Sequence, residues 1–439
     1  MNSHDTSPTS WVGTANEPNN GFPLQSLPYC AFTPDIAPDA TPHLGTGIGA
    51  FILDLHALQA NNLLTDLPAD LQKACTAPQL NALMRCGADA WYALRQRLTE
   101  LLQIIEPRNT DRQRLVASLM LPMTRAQFHK PVATANYTDF YASIHHASNV
   151  GELFRPDQPL LPNYKWIPIG YHGRASSLII SGTPIRRPHG QIKLPTEPTP
   201  VYQPTAQLDY ELEVAAYVGI GNPLGTNIPI DYADLYLFGF SLLNDWSARD
   251  IQSWEYQPLG PFLGKSFATS ISPWVVPMEA LHPYRTALTP RAATDPAPLP
   301  YLTEPAGART SFNITLEVFL STALMREQNL PPVPLSTSNL SDVYWSFAQM
   351  VTHHTSNGCN LIEGDILATG TVSGPTPGSQ GCLLEITQRG ARPITLPNGE
   401  TRTFLKDGDE IILRGTCQRE GLPTITLGEC RSTILPAQG

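Results

Sequence analysis

The sequence predicts a mainly β protein of the α+β class, and its composition is the first reason. Proline accounts for 43 of the 439 residues, roughly twice the usual share of about 5%. Because proline fixes φ and lacks an N–H donor, it interrupts helices and central strands. Charged residues make up only 15% of the chain and hydrophobic residues 41%, which excludes a coiled coil, a helical bundle and a disordered chain. We expect a large folded protein with many corners and two or three domains.

The N-terminal part is predicted to contain one buried strand and one amphipathic helix. The apolar run Ile48–Leu55 is typical of a buried strand. From residue 88 to residue 105 the apolar side chains recur at helical spacing and share one face, namely Trp91, Leu94, Leu98, Leu101, Leu102 and Ile105. We expect Pro107 to end this helix. Residues 108–130 carry few strand signals and are interpreted as a connection between two domains.

Beyond about residue 130, short apolar segments alternate with Pro and Gly corners. They are SLIISGTPI, ELEVAAYVG, LYLFGFSLL, SPWVV, ITLEVFL, GDILATGTVSG and DEIILRGT. Runs spaced in this way predict an antiparallel sandwich or barrel that continues to the C-terminus. Two segments rich in Pro, Ala and Thr are expected to be surface loops, namely Thr286–Gly307 and Pro331–Ser338.

One helix is predicted to interrupt these strands. Ser341 is interpreted as its N-cap, and Asn357 with Gly358 as its stop. Its apolar face is predicted to contain Val343, Phe347, Met350, Val351 and His354.

Charge and cysteine usage exclude several partners. The chain has 38 acidic and 28 basic residues and no basic run, which excludes a nucleic-acid-binding protein. No run of about 18 apolar residues is present, so no membrane span is predicted. The polar residues 1–21 lack the pattern of a secretion signal, and the seven scattered cysteines contain no C-x-x-C. We therefore expect a cytoplasmic protein with reduced thiols.

Acidic residues in three segments indicate a cation site. Alternation along a strand places Glu211 and Glu213 on one face, where like charges repel unless a cation lies between them. The alternation alone is equally compatible with a solvated strand face. Asp245 ends an apolar run, and Asp139 lies in NYTDFYASIHH. Together, four carboxylates would form an all-oxygen site suited to Mg²⁺ or Ca²⁺ and not to zinc.

Five long segments resemble the fumarylacetoacetase family. They are YTDFYASIHHASNVG, LPNYKWIPIGYHGRASSLIISGTPIRRPHGQ, LDYELEVAAYVG, LLNDWSARDIQSWEYQPLGPFLGKSFATSISPWVVPMEAL and HHTSNGCNLIEGDILATGTVSGPTPGS. The similarity is dense over residues 130–390 and looser toward the N-terminus. Members of this family are hydrolases acting on carbon–carbon bonds in ketonic substances. They cleave 4-fumarylacetoacetate to fumarate and acetoacetate, the last step of tyrosine and phenylalanine catabolism.

The resemblance implies a two-domain homodimer. Residues 1–130 would form a small SH3-like β-barrel domain with a helical connection. Residues 131–439 would form a large catalytic domain, a mixed β-roll or sandwich that binds a divalent metal, Ca²⁺ or Mg²⁺. The implied substrate is a small dicarboxylate β-diketone, whose two oxygens can chelate a hard cation.

The resemblance also implies a role for each site residue. The metal ligands would be Asp139, Glu211, Glu213 and Asp245, with Lys265 and Thr269 beside the ion. The general base would be His146, with Glu385 as its carboxylate partner. The charge-stabilising group would be Arg249, Gln252 and Lys265. The substrate contacts would be Tyr141, Arg155, Tyr171, Tyr256 and Thr371. His145, expected to face away from His146 on an extended strand, is interpreted as structural.

Two alternative functions stay open at this point. The first is an acylpyruvate hydrolase, decarboxylase or isomerase of the same superfamily acting on another 2-oxo or β-diketo acid. Such an enzyme needs the metal site but not the whole segment from Arg249 to Lys265. The second is a cation-stabilised β binding module without catalytic activity, in which the acidic residues only stabilise the fold.

Overall fold

Strands dominate the computed structural model, which describes residues 8–18, 20–105 and 109–439. The predicted α+β class is confirmed. Pro107, the expected end of the first long helix, lies outside the described residues. Within the described ranges, every helix is too short or too polar to cross a membrane.

A five-stranded antiparallel sheet forms the N-terminal part. Its strands, in spatial order, are Met120–Pro122, Phe51–Asp54, His43–Ile48, Tyr29–Pro34 and Ala126–His129. Only residues Met123–Arg125 separate the two edge strands along the chain, so the sheet curls and brings its edges toward each other. Between Phe51–Asp54 and Met120–Pro122 the chain forms five helices, namely Leu55–Ala60, Ala69–Ala74, Asn81–Arg85, Ala88–Leu102 and Thr110–Ser118.

Three N-terminal predictions are wrong in detail. The run Ile48–Leu55 is a hairpin and not one strand, because the chain reverses at Gly49, which adopts φ +56. The connection predicted at 108–130 contains a helix and both edge strands of the N-terminal sheet. These strands are too short to show alternation. Ile105 lies beyond the helix end at Leu102 and is 46% exposed.

The central sheet has eight strands. Along its main path they are Gly170–Gly173, Tyr137–Phe140, Ile366–Ala368, Leu212–Val218, Leu237–Asp245, Thr269–Ile271 and Leu178–Ile180, and Val276–Pro277 also pairs with Leu237–Asp245. Two of the pairings are parallel, and the others are antiparallel. This mixed sheet positions the acidic residues.

A second sheet of five strands packs against the central one. Its strands are Val333–Asn339, Ile314–Ser321, Glu410–Cys417, Ile425–Leu435 and Ile185–Arg186. Two-stranded pairs complete the β-structure: His189–Ile192 with Val201–Pro204, Leu208–Asp209 with Ser247–Ala248, Arg285–Thr286 with Ser311–Phe312, and Ile394–Thr395 with Thr401–Arg402. The remaining α-helices of this part are Ile144–Phe154, Arg249–Glu255, Met278–Leu281, Ala323–Glu327, Phe347–Thr355 and Leu383–Ile386.

Both faces of the central sheet are buried. On the strand Leu212–Val218, Val214 and Ala216 belong to an apolar core shared with the second sheet. Their neighbours Ala215 and Tyr217 belong to a different core, formed with the N-terminal helices. The N-terminal part is therefore packed on the face that does not contact the second sheet. The domain division between residues 130 and 131 stays a prediction.

Two C-terminal predictions are wrong. The helix predicted from Ser341 begins at Phe347, because Ser346 and Gln349 form a reciprocal capping box there. The segment Pro331–Ser338, expected to be a loop, contains most of the edge strand Val333–Asn339. Edge strands tolerate proline because one side of their backbone makes no ladder bonds, so the prolines concealed this strand.

Candidate active site

Four carboxylates converge at the ends of three strands in the central sheet. Asp139 lies on Tyr137–Phe140, Glu211 and Glu213 lie at the start of Leu212–Val218, and Asp245 ends Leu237–Asp245. Each offers an oxygen within 4.8 Å of the others, and all four residues are buried. Three strands of one mixed sheet, with Ile366–Ala368 between the first and the second of them, thus bring together the four residues that the sequence predicted to share a cation.

Two cations compensate part of this negative charge. Lys265 Nζ donates to Asp245 Oδ2 at 2.9 Å and to Glu211 Oε2 at 2.5 Å. Arg249 Nη1 donates to Glu211 Oε1 at 2.6 Å. Burial alone would raise the pKa of Glu211, but the charges of Lys265 and Arg249 lower it, so this carboxylate is ionised.

Asp245 has additional hydrogen-bond donors. The Thr269 hydroxyl donates to its Oδ1 at 2.9 Å, and the Tyr171 hydroxyl donates to its Oδ2 at 3.0 Å. Thr269 faces Asp245 directly across the strand pair, which explains the short reach of its side chain. Lys265 and Thr269, the two residues predicted to lie beside the ion, therefore both contact its acidic residues.

The other half of the cluster, Glu213 and Asp139, has carboxylate oxygens without hydrogen-bond partners among the described residues. Both oxygens of Glu213 and Oδ1 of Asp139 are buried without a hydrogen-bond partner among the described residues. Burial and the neighbouring carboxylates raise the pKa of both side chains. Buried polar atoms are normally paired, so this arrangement requires a bound cation or protons. The donors are all hard oxygens, and the residues present therefore fit a divalent hard cation.

A buried histidine–carboxylate pair lies beside the cluster. Ser143 caps the helix Ile144–Phe154, and His146 lies in its first turn. His146 Nδ1 is 2.6 Å from Glu385 Oε1. An ionised carboxylate only accepts hydrogen bonds, so Nδ1 carries the proton and Nε2 is left basic. His145 and His146 are helical, because the Ser143 cap starts the helix at Ile144.

Two hydrogen bonds besides the one from His146 hold the Glu385 carboxylate in place. Asn149 Nδ2 donates to its Oε2 at 2.7 Å, and the Ser373 hydroxyl donates to its Oε1 at 2.8 Å. Burial would raise the pKa of Glu385, but the adjacent His146 and these hydrogen bonds lower it. The Glu385 side chain is thus fixed and ionised. Asn149 and Ser373 were not predicted, although Asn149 lies one helical turn after His146.

A cavity of about 490 Å³ joins the two groups. Its wall includes all five predicted substrate contacts, namely Tyr141, Arg155, Tyr171, Tyr256 and Thr371. It also includes the predicted charge-stabilising residues Arg249, Gln252 and Lys265. A larger cavity of about 800 Å³ between N-terminal helices is lined by none of these residues. The smaller cavity is the candidate site because it alone of these two contains the acidic and basic groups described above.

Two further side chains at this cavity were missed from the sequence. The guanidinium of Arg389 lies 4.4 Å from the ring centre of Phe154, and both residues line the wall. Phe154 lies eight positions after His146 on the same helix, and this spacing could have indicated it. Nothing in the sequence indicated that Arg389, four residues after Glu385, contacts that helix.

Comparisons with known proteins agree with this arrangement. The family described as fumarylacetoacetate (FAA) hydrolase C-terminal matches residues 135–435, and that described as fumarylacetoacetase N-terminal matches residues 25–131. The chain is 45% identical to the fumarylacetoacetase of Bos taurus, over 98% of this chain and 99% of the relative. It is 43% identical to the fumarylacetoacetase of Arabidopsis thaliana, over 95% and 96% of the two chains.

A solved structure supports the fold. The fumarylacetoacetate hydrolase from Exiguobacterium antarcticum superposes with a TM-score of 0.51 at 16% identity, covering 94% of this chain and 100% of that chain. Such low identity is informative about the fold alone. The sequence matches extend over nearly the whole length of both partners. The chain therefore belongs to the fumarylacetoacetate hydrolase family.

Proposed function

We propose that this protein hydrolyses the carbon–carbon bond of 4-fumarylacetoacetate to give fumarate and acetoacetate. The observation that carries the proposal is one cavity lined both by Asp139 and Glu211 of the four-carboxylate cluster and by His146, the partner of Glu385. The near full-length similarity to fumarylacetoacetases supports the choice of substrate over acylpyruvates. The protein is accordingly an enzyme, which sets aside the non-catalytic alternative.

The four carboxylates Asp139, Glu211, Glu213 and Asp245 are proposed to hold one divalent cation, Ca²⁺ or Mg²⁺. When bound, such an ion polarises the diketone and stabilises the enolate of the leaving group. The unpaired oxygens of Glu213 and Asp139 support this assignment. Lys265 and Thr269 are proposed to orient Asp245, since both donate to its carboxylate.

His146 is proposed to act as general base. Its Nε2 would accept a proton from the attacking water, and Glu385 would stabilise the imidazolium that forms. The same Nε2 proton would then neutralise the carbon of the departing acetoacetate. This return of the proton restores the neutral histidine, so one residue serves both steps.

Arg249, Gln252 and Lys265 are proposed to donate hydrogen bonds to the oxyanion that develops at the attacked carbonyl. Arg249 Nη2 lies 3.0 Å from Asp209 Oδ2 without hydrogen-bond geometry and has no hydrogen-bond partner among the described residues. Gln252 lies one turn after Arg249 on the same helix and lines the same cavity.

The substrate carboxylates are proposed to bind Arg155 and the tyrosines Tyr141, Tyr171 and Tyr256, with Thr371 as a further contact. Arg155 Nε and the Thr371 hydroxyl are buried without partners in the described part of the chain. Unpaired donors in a cavity wall favour an anionic ligand, because they are satisfied only when it binds.

Replacing His146 with alanine tests the proposed base. Turnover should fall by about 1,000-fold or more, because no other base is held beside the cavity by a carboxylate. Fumarate release measures this loss, and isothermal titration with Ca²⁺ or Mg²⁺ should show unchanged metal affinity. A variant with full activity would contradict the role of His146. A wild-type enzyme that cleaves acylpyruvates but releases no fumarate would contradict the substrate.

We also propose that the chain forms a homodimer and functions in the cytoplasm. Family resemblance supports the dimer, and the seven cysteines support a reducing compartment because none of them forms a disulfide. Sedimentation equilibrium of the purified full-length chain should give twice the monomer mass. A monomer at micromolar concentration would contradict the assembly.

A further inference from the structure

A fifth carboxylate, that of Asp209, lies behind the active site and belongs to neither group described above. The residue is 0% exposed. Its Oδ1 accepts hydrogen bonds from the backbone N–H of Tyr210 at 2.9 Å and of Leu383 at 2.8 Å. Its Oδ2 accepts from the backbone N–H of Leu384 at 2.9 Å and from Arg249 Nε at 3.0 Å. Each oxygen of Asp209 thus accepts two hydrogen bonds.

Three of these donors, those of Leu383, Leu384 and Arg249, come from the two elements that carry the proposed chemistry. Arg249 begins the helix Arg249–Glu255, and Leu383 with Leu384 begins the helix Leu383–Ile386, which contains Glu385. Neither helix has an N-cap side chain of its own. The N–H groups at a helix start need an external acceptor when buried, and Asp209 supplies it for the second helix.

Asp209 also determines where the guanidinium of Arg249 points. Glu211 accepts from Nη1 at 2.6 Å on one edge of the guanidinium, while Asp209 accepts from Nε on another. Two acceptors on different edges fix a planar fork in orientation, whereas one acceptor leaves it free to pivot. Without Asp209, Arg249 would keep only its Nη1 hydrogen bonds, to Glu211 and to Gln252 Oε1 at 3.4 Å. Nη2, which now lies 3.0 Å from Asp209 Oδ2, would then leave its present position.

We propose that Asp209 is a positioning residue that fixes Arg249 relative to the Glu385–His146 pair. The inference rests on the proposed function, because it assigns Arg249 and Glu385 to the same reaction. One carboxylate joins the oxyanion donor to the element that orients the base. A displacement of about 1 Å at such groups is enough to lower a rate by about 100-fold.

The test compares Asp209→Asn with Asp409→Asn. Asp409 is also 0% exposed, and it accepts from Arg402 Nε at 2.8 Å and from the backbone N–H of Lys406 at 2.8 Å. It does not line the cavity, so its variant controls for loss of a buried aspartate–arginine pair. We expect similar losses of thermal stability in both variants. Only Asp209→Asn should lose kcat, by about 10- to 100-fold with KM changed less than about 3-fold.

A double-mutant cycle with Arg249→Gln separates positioning from general damage. If Asp209 acts through Arg249, Asp209→Asn should cost clearly less kcat in the Arg249→Gln background than in the wild type. Equal losses in both backgrounds would overturn this coupling. Wild-type kcat in Asp209→Asn, or the same kcat loss in Asp409→Asn, would overturn the proposal.

Crystal structures give a readout that does not depend on turnover. In Asp209→Asn the guanidinium of Arg249 and the Glu385 carboxylate should both be displaced, and unmoved groups would overturn the proposal. If that variant does not fold, Asp209→Glu retains the charge but not the geometry and should show the same displacement. Absence of fumarate release by the wild-type enzyme would instead contradict the proposed function, while the displacements would still decide the role of Asp209.

Discussion

Glu213 is buried on a strand with no partner for either of its oxygens among the described residues. Replacing it with glutamine should lower the affinity for Ca²⁺ or Mg²⁺ by about 100-fold, because one anionic ligand is lost. When both are free of metal, at a pH high enough to ionise Glu213, the same variant should melt at a higher temperature than the wild type, since repulsion within the cluster falls. Titration calorimetry and thermal melts in chelator measure these effects.

The control is Glu317→Gln, on the strand Ile314–Ser321 of the second sheet, away from the acidic cluster. It should leave both metal affinity and the metal-free melting temperature unchanged. If Glu213→Gln binds the ion as tightly as this control, Glu213 is not a ligand.

The raised pKa values of Asp139 and Glu213 predict that metal binding releases protons. In the metal-free protein a carboxyl with a raised pKa retains its proton to a higher pH than usual, whereas only the ionised form binds a cation. Metal affinity should therefore keep rising with pH above the range in which an ordinary carboxyl has already ionised. Calorimetry in buffers with different ionisation enthalpies counts the protons. An affinity independent of pH, with no proton release, would contradict the raised pKa values.

The helix Ile144–Phe154 depends on a glycine for its placement. A Cβ at Gly151 would lie 2.0 Å from the carbonyl oxygen of Pro159, which lines the cavity. Gly151→Ala should therefore cost about 1–3 kcal/mol of unfolding free energy and displace His146 from Glu385. Denaturant unfolding and kcat measure the two effects.

Gly13→Ala is the matched control, because a Cβ there would meet nothing within 4 Å. This variant should keep wild-type stability and activity. Equal stability of the two variants would show that the helix can shift away from Pro159 at no cost.

The elements differ in how well the sequence predicted them. The inner strands of the two large sheets were predictable because their apolar runs are continuous and end at Pro or Gly corners. Three edge strands were not predictable, since short or proline-containing strands lack that pattern. They are Val333–Asn339 in the second sheet and Met120–Pro122 and Ala126–His129 in the N-terminal sheet. The helix bearing His146 was missed because its start depends on one hydroxyl cap, that of Ser143.

The site residues also differ in how well the sequence predicted them. Alternation placed Glu211 and Glu213 on one face, but only the family resemblance joined them to Asp139 and Asp245. The structure brings all four together. Residues that orient these groups from behind, such as Asp209 and Asn149, carry no sequence signal because their partners are distant in the chain.

At the scale of the whole molecule, the N-terminal part covers one face of the central sheet. Ala215, Tyr217, Ile271 and Ala368 share a core with the N-terminal helices. A chain restricted to residues 132–439 would expose this face to water, and large exposed apolar patches promote aggregation. We expect this fragment to be insoluble or to bind a hydrophobic dye strongly. A fragment that is monodisperse and active would contradict a structural need for the N-terminal part.

The two-sided burial of the strand Leu212–Val218 has a consequence for inherited or engineered changes far from the cavity. Tyr217 and Ala215 point to the same side of the strand as Glu213, so the N-terminal helices press on the side that carries the ligands. A substitution that weakens the packing of those helices should therefore lower the affinity for the metal, although every residue of the site is still present. Supplementing the growth medium or assay with the ion would then rescue such variants, as added ligand rescues a protein that it stabilises.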